Sequence, residues 1–239
     1  MRRTAFDGIA VLVVLAAFAR PVGAQASYRP AAEEDRAPNL VGVTGLLLAP
    51  SAYVVRDRQI AGALSGAAKS SGGFTAATLT LGLGNRAEIG LTALDPDGGA
   101  ARLRMSAKLN LLPETLLLPA LSVGLVDAFD TGQAAHVEGG AGVYVVASKY
   151  LVRYFVQGVT GVPLALKIHA GLGGGAFGNA PFAGVEAFPG DGRIAALAEL
   201  VHGDMNLGAR LHAGNFSATV GWLDFRRIGG SVTYSVPLR

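Results

Sequence analysis

The sequence predicts an all-β fold, an antiparallel transmembrane β-barrel of about twelve strands, and three observations support this prediction. The composition is that of a membrane protein, with 51% hydrophobic residues and a mean hydropathy of +0.41. After residue 24, however, no stretch of uncharged apolar residues approaches the roughly 20 that a spanning helix needs. The 34 glycines are spread along the whole chain, and long helices tolerate glycine poorly. A closed barrel is the other structure that satisfies its own backbone in lipid.

Residues 1–24 have the features of a signal peptide. Arg2 and Arg3 precede a short apolar run, Ile9–Phe18, and the small residues of a cleavage site follow at positions 22–24. The run is too short to span a membrane as a helix. We therefore expect export in a Gram-negative bacterium, a mature chain that begins near Gln25, and a place in the outer membrane.

The next residues, 25–40, are predicted to be a disordered periplasmic lead, because they are polar and contain Pro30, Pro38 and the acidic cluster 33–35. Residues 41–239 are assigned to the barrel. The chain contains no cysteine, which excludes a lipidated cysteine, disulfides, thiol catalysis and cysteine metal ligands. Without the signal peptide, the 20 basic and 17 acidic residues become 17 and 16. No basic arm or helix is present, so nucleic acid is not expected as a partner.

Strands are predicted from alternation with period two, since successive side chains of a strand point to opposite faces. The clearest case is Arg102–Leu109, in which Leu103, Met105, Ala107 and Leu109 alternate with Arg102, Arg104, Ser106 and Lys108. Turn residues separate most of the segments. In chain order the predicted strands are Gln59–Ser65, Ala77–Leu83, Ala87–Thr92, Arg102–Leu109, Ala120–Val126, Gly140–Lys149, Leu164–Ala170, Pro181–Phe188, Arg193–His202, Met205–Leu211, Phe216–Trp222 and Ser231–Val236.

Two spans fit this pattern poorly: Leu111–Pro119 is too apolar for an ordinary turn, and Tyr150–Pro163 is long. A soluble periplasmic β-sandwich also alternates, and it is the alternative fold. Its solvent face should be densely charged, whereas the polar face here consists mostly of Gly, Ser and Thr with an occasional charge. Small polar residues suit the interior of a narrow barrel, so the barrel is favoured.

Under this register a set of charged side chains points into the lumen. The set comprises Arg102, Arg104, Lys108, Lys167, His169, Arg210, Glu88 and Glu199, while the face of Glu186 stays open. Its cationic excess suggests that the lumen guides an anionic polymer. The alternative is that these charges form pairs that only pack the interior. We also expect an Arg at Leu103, Leu166, Leu207 or Val220 to cost about 2–4 kcal/mol, and much less at Ser106 or Thr219.

Several short blocks resemble a known family when they are taken in order. They are Gly45-Leu46-Leu47-Leu48-Ala49-Pro50-Ser51-Ala52, the run 118–125 with Asp127, Phe129 and Thr131-Gly132, then 145–149, 182–186, Ala198-Glu199 and 206–210. In this order they resemble the YjbH-type exopolysaccharide-associated outer-membrane proteins over roughly residues 40–239. The resemblance implies an outer-membrane barrel linked to exopolysaccharide production or export. Members are often longer, and some carry a lipidated cysteine that this chain lacks.

No motif for catalysis, a cofactor or a metal stands out. Gly173–Gly178 matches G-x-G-x-x-G, but Gly178, Asn179 and Pro181 prevent the helix that a dinucleotide site needs, so a loop is expected. The four histidines, at 136, 169, 202 and 212, lack metal-ligand spacing. No G-x-S-x-G occurs. We therefore predict neither an enzyme nor a cofactor or metal protein. Aromatic girdles at the membrane interfaces are expected from Trp222, Tyr144, Tyr150, Tyr234 and Phe188.

Two functions remain open from the sequence. The first is a component of exopolysaccharide production or export, a barrel that passes or guides an anionic polymer. The second is a structural or assembly barrel with a blocked pore, whose loops bind a partner. The expected partners are outer-membrane lipid, an anionic exopolysaccharide and the export machinery.

Overall fold

The computed structural model describes residues 37–68, 73–96, 101–128, 141–151, 164–189 and 193–238. The predicted signal peptide, most of the predicted lead and most of the span 150–163 lie outside these residues. No helix in the described part of the chain is long and apolar enough to cross a membrane.

Twelve antiparallel strands form one closed barrel within the described residues, and each strand pairs with its neighbours in sequence. The last strand pairs with the first, from Gln59 opposite Pro237 to Ala68 opposite Ile228, so the sheet has no free edge. The predicted fold class is confirmed, and the sandwich alternative is wrong. The strands are β1 Gln59–Ala68, β2 Phe74–Leu83, β3 Ala87–Pro96, β4 Arg102–Leu112, β5 Ala120–Val126, β6 Gly142–Leu151, β7 Leu164–Gly173, β8 Ala180–Pro189, β9 Ile194–Val201, β10 Asp204–Ala213, β11 Phe216–Leu223 and β12 Arg227–Pro237.

Each of the twelve predicted segments overlaps one of these strands, because alternation of apolar and polar residues is a local property of the sequence. Boundaries differ by a few residues where turn chemistry decides. The predicted strands leave Gly203-Asp204 as the turn between β9 and β10, for example, but the turn consists of His202 and Gly203, both with positive φ. Two central residues with positive φ form the hairpin turn that matches the twist of antiparallel strands.

The outer face of the barrel is apolar and exposed. Leu79, Leu91, Leu103 and Val220 are 43–56% exposed although they lie within strands. The alternate residues of the same strands, such as Thr78, Thr92 and Thr219, are buried inside. A soluble domain would place its leucines inside and its threonines outside, so this inverted arrangement is that of a barrel surrounded by lipid.

Residues 37–55, the inner segment, run through the interior of the barrel and are almost all buried. The segment folds back on itself through two isolated bridges, Pro38 with Thr44 and Gly45 with Pro50. The first strand of the barrel wall begins at Gln59. Residues 25–36 of the predicted lead lie outside the described residues. Residues 37–40 of the predicted lead belong to the inner segment, and residues 41–58, which the prediction counts with the barrel, precede the wall. The apolar run 45–52 gave no sign of this position, because an apolar segment suits a lumen filled with protein as well as a strand.

Arginine substitutions on the outer face test how deeply each position lies in the membrane. We expect Val220→Arg, in the middle of β11, to lower the free energy of unfolding by about 2–4 kcal/mol in phospholipid vesicles, because the charge meets the hydrocarbon core. Ala213→Arg, at the outward-facing end of β10, should cost only about 0–1 kcal/mol. Urea titrations of the two variants and the parent measure both values. Equal costs would contradict the assignment of this face to lipid.

Candidate functional site

The inner segment is bound to the barrel wall mainly through its backbone. Glu199 of β9 accepts hydrogen bonds from three consecutive amides, those of Leu47 at 3.1 Å, Leu48 at 2.8 Å and Ala49 at 3.0 Å. Asn206 of β10 donates to the same carboxylate at 2.9 Å. The three amides form a turn that binds an anionic group. Because that group is a carboxylate of the barrel wall, its hydrogen bonds fix the turn of the inner segment to the wall.

A second carboxylate, Glu88 of β3, forms a buried ion pair with Lys108 of β4 at 3.0 Å. The two residues are directly opposite each other in the β3–β4 register. Glu88 accepts the amides of Thr44 at 3.0 Å and Val55 at 2.9 Å as well as the Thr44 hydroxyl. Lys108 donates to the carbonyl oxygens of Thr44 at 2.8 Å and Tyr53 at 2.9 Å. The pair therefore binds the folded-back segment on both sides of its bend, at Thr44 and at Tyr53 and Val55, to the same part of the wall.

Arg210 of β10 holds the tip of the segment from the other side of the barrel. Its guanidinium donates to the carbonyl oxygens of Gly45 at 2.8 Å and Leu46 at 2.7 Å, and to the Thr219 hydroxyl at 2.9 Å. Arg210 is 1% exposed, so these bonds are formed away from solvent. Bonds between a buried guanidinium and carbonyl oxygens are strong, and removing the acceptors would leave a buried charge unsatisfied.

Ala52 is held by side chains of three strands, β4, β5 and β6. Its carbonyl oxygen accepts from Asn110 at 2.9 Å and Ser122 at 2.6 Å, and its amide donates to the Ser148 hydroxyl at 2.8 Å. Together with Glu88, Lys108, Glu199 and Arg210, these contacts surround the segment from β3 to β10.

Behind Ser148 lies a row of side chains that resembles a nucleophile–base–acid arrangement. The Ser148 hydroxyl is 2.8 Å from Nδ1 of His169, and Nε2 of His169 is 3.1 Å from Glu186. Ser148 is fully buried beneath Ala52, whose amide it binds. The hydroxyl therefore faces the inner segment, and the row acts as part of its attachment.

The leucines of the segment pack against places where the wall has no side chain. A Cβ added at Gly184 would lie 2.6 Å from Leu46, and one at Gly221 would lie 2.6 Å from Leu47. Leu46 and Leu47 are both fully buried. The glycines of the wall thus make room for the apolar side chains, while charged and hydroxyl side chains bind the backbone between them.

Lys167 differs from the other lumenal cations in its partners. Its ammonium group is fully buried and lies 5.4 Å from the ring centre of Tyr53 and 4.8 Å from that of Phe188. Within the described residues it forms no hydrogen bond. Two ring faces stabilise the charge there through cation–π attraction. Tyr53 belongs to the inner segment, so this contact also joins segment and wall.

The eight lumenal residues predicted from the sequence all lie on the inner face. Seven of them are at most 6% exposed, and Arg102, at one end of β4, is half-buried. The predicted cationic excess, however, is absent among the buried residues of the described part. Glu186 faces inward, and Asp127, which was not predicted, is 3.4 Å from Arg104. Four buried Arg and Lys residues are thus balanced by four buried Asp and Glu residues.

Two further predictions need correction because the lumen is filled. Ser106 lies against the inner segment near Gly42, and Thr219 binds Arg210. An Arg at either position would displace these contacts, so we expect the substitution to be costly there as well. Tyr144 and Phe188 are buried inside rather than in a girdle, whereas Trp222 and Tyr234 are exposed. Val143–Val146 is apolar on both faces, so the sequence could not indicate that Tyr144 fills the space over Gly124.

The remaining motifs take no part in a site. Residues 175–177 of the glycine-rich match form a single 3-10 turn between β7 and β8, in line with the expected loop. No group of three or more side chains of the metal-ligating types comes together within the described residues.

No family model matches the chain, and no curated protein matches it. Among solved structures, it is similar to one described as "KdgM porin", at 9% identity and a TM-score of 0.48. That match covers 75% of this chain and 99% of the other.

The contacts of Glu199 give a test by hydrogen exchange. In Glu199→Gln the side chain loses its charge and one acceptor oxygen, so the amides of Leu47, Leu48 and Ala49 should exchange roughly ten- to hundredfold faster, which corresponds to about 1.5–3 kcal/mol. The amides of Thr44 and Val55, which Glu88 binds, serve as the internal control and should keep their protection. Unchanged exchange at residues 47–49 would contradict the role of Glu199.

Proposed function

We propose that this chain is an exported outer-membrane β-barrel that takes part in exopolysaccharide production or export as a closed, structural or assembly component. One observation carries the closed state: the inner segment fills the lumen and is bound by side chains of many strands. Barrels of about eight strands are filled by their own side chains, whereas larger ones leave interior space. In this barrel of twelve strands, the chain itself occupies that space.

The place in the outer membrane is supported by the apolar outer face, and the export step by the predicted signal peptide. The link to exopolysaccharide rests on the blocks that resemble the YjbH-type family, of which Gly45–Ala52 forms the tip of the inner segment. Guidance of an anionic polymer through the lumen is the second candidate. It is favoured less, because the buried charges are balanced and most of them bind the inner segment.

We also propose that the polar side chains around Ala52 bind the inner segment and do not catalyse a reaction. The Ser148–His169–Glu186 row has the residue types of a nucleophile, a base and an acid, but its hydroxyl accepts the Ala52 amide. A substrate would have to take the place of the inner segment before it reached Ser148.

Conductance tests the closed state. We expect the purified chain in planar bilayers to show little steady conductance, and a variant that lacks residues 37–55 to form open channels, because the deletion empties the lumen. Heat-modifiable mobility on gels checks that the variant has folded. Glu199→Gln combined with Arg210→Met loosens the segment without shortening the chain and should open the channel transiently. Steady conductance of the parent would overturn the closed state.

A lock on the inner segment distinguishes a structural component from a conduit. The chain has no cysteine, so Ala52→Cys with Ser148→Cys introduces one pair at a place where amide and hydroxyl lie 2.8 Å apart. In producing cells, a structural barrel should support the same polysaccharide export whether the pair is oxidised or reduced. Each single substitution is the matched control. Export that stops on oxidation and resumes on reduction would favour a gated conduit instead.

A further inference from the structure

The end of β4 and the connection from β4 to β5 expose an unusual number of leucines. Leu111, Leu112, Leu116, Leu117 and Leu118, here called the leucine turn, are 45–73% exposed. They lie at the end of the barrel where β1 begins and β12 ends. Other connections at this end are polar, such as Asn85-Arg86 between β2 and β3 and Gly214-Asn215 between β10 and β11. A turn in water would not be expected to expose so much apolar surface.

The leucine turn continues the apolar outer face of β4. Leu103 and Leu109 are exposed on that face, and the row extends to Leu111. The register of β4 with β5 then shifts between Asn110 and Leu112. As a result Leu111 and Leu112 are both exposed, although neighbours in a regular strand face opposite ways. The row of exposed apolar residues on the outside of β4 therefore extends to the start of the connection.

The backbone of the turn is largely satisfied from within the chain. The ammonium group of Lys149 contacts the carbonyl oxygens of Thr115, Leu116 and Leu118. The Thr115 amide donates to Leu118 at 3.0 Å, and the Leu118 amide donates to the Thr115 hydroxyl at 3.0 Å. Irregular backbone can enter an apolar medium only when its polar groups are paired in this way.

The charged side chain of the turn points into the protein. Glu114 accepts from the Tyr53 hydroxyl at 2.6 Å and from the Tyr150 amide at 2.8 Å, and lies 3.3 Å from Lys149. Its side chain is 5% exposed. The turn is thus fastened to β6 and to the inner segment, and its leucines are held outward.

We propose that the leucine turn inserts into the acyl chains of the leaflet at this end of the barrel. The inference rests on the proposed membrane location and adds an asymmetric depth, with the β4–β5 side immersed further. Phospholipid is the occupant that fits, because the exposed leucines begin on the apolar outer face of β4 and Lys149 already binds three carbonyl oxygens of the turn. Arg86 is exposed beside the base of the turn, where its carbonyl oxygen accepts the Asn110 amide, and suits the headgroup region.

Tryptophan scanning of the full chain tests this placement. Trp222 is the sole tryptophan, so Trp222→Phe gives a silent background. Into it we would introduce Leu117→Trp at the turn, Leu91→Trp in the middle of the outer face of β3, and Asn215→Trp in a polar turn at the same end. Each variant is folded into phosphatidylcholine vesicles with or without bromine on the acyl chains. We expect blue-shifted emission and strong bromine quenching at residues 91 and 117, and red-shifted, unquenched emission at residue 215.

The outcomes separate the two levels of the proposal. If Leu91→Trp is quenched and Leu117→Trp is red-shifted and unquenched, the turn is in water and the inference is overturned. Blue-shifted but unquenched emission at residue 117 would also overturn it, because protein rather than lipid would then cover the turn. If Leu91→Trp itself escapes quenching, the membrane location fails. Quenching at residue 215 as strong as at 117 would remove the special role of this turn.

Discussion

The structure depends on the need of buried backbone groups for hydrogen-bond partners. The inner segment has too few internal bonds to satisfy its own amides and carbonyls, and it lies where water is excluded. Glu199, Arg210 and the Glu88–Lys108 pair supply the missing partners from the wall. Each of these charges would in turn be costly to bury alone. Segment and wall therefore satisfy each other's polar groups in a lumen from which water is excluded.

This dependence explains why the lumenal charges are balanced. An anion conduit would be expected to keep an excess of cations that face open water. Here Glu88 and Glu199 accept hydrogen bonds from amides while Lys108 and Arg210 donate to carbonyl oxygens, so both signs are needed to hold one peptide segment. The side chains of the segment contribute separately, because Leu46 and Leu47 fit over wall glycines. Charged side chains of the wall bind the backbone of the segment, and wall glycines leave space that fits its leucines. Together these contacts fix the segment in one conformation.

The same principle recurs at the leucine turn, on the outside of the barrel. There Lys149 donates hydrogen bonds to carbonyl oxygens that would otherwise face an apolar medium. Its partner Glu114 also contacts Tyr53, so the turn is joined to the inner segment through a single side chain. The interior filling and the exposed apolar turn are thus parts of one network of hydrogen bonds, which extends from the lumen to the rim.

The sequence by itself determined the wall of the barrel. Alternation is local, so Arg102–Leu109 and Phe216–Trp222 could be assigned both strand and face before any contact was known, and the eight lumenal residues followed. The inner segment could not be found in this way, because its apolar residues carry no period that distinguishes a strand from a filling. The partner of each charge was also decided only by closure of the sheet. Glu199 lies about 150 residues from the amides of Leu47–Ala49, and only the barrel brings them together. Features that depend on neighbouring residues, such as strand and face, could be predicted from the sequence pattern. Features that depend on contacts between distant residues required the tertiary structure.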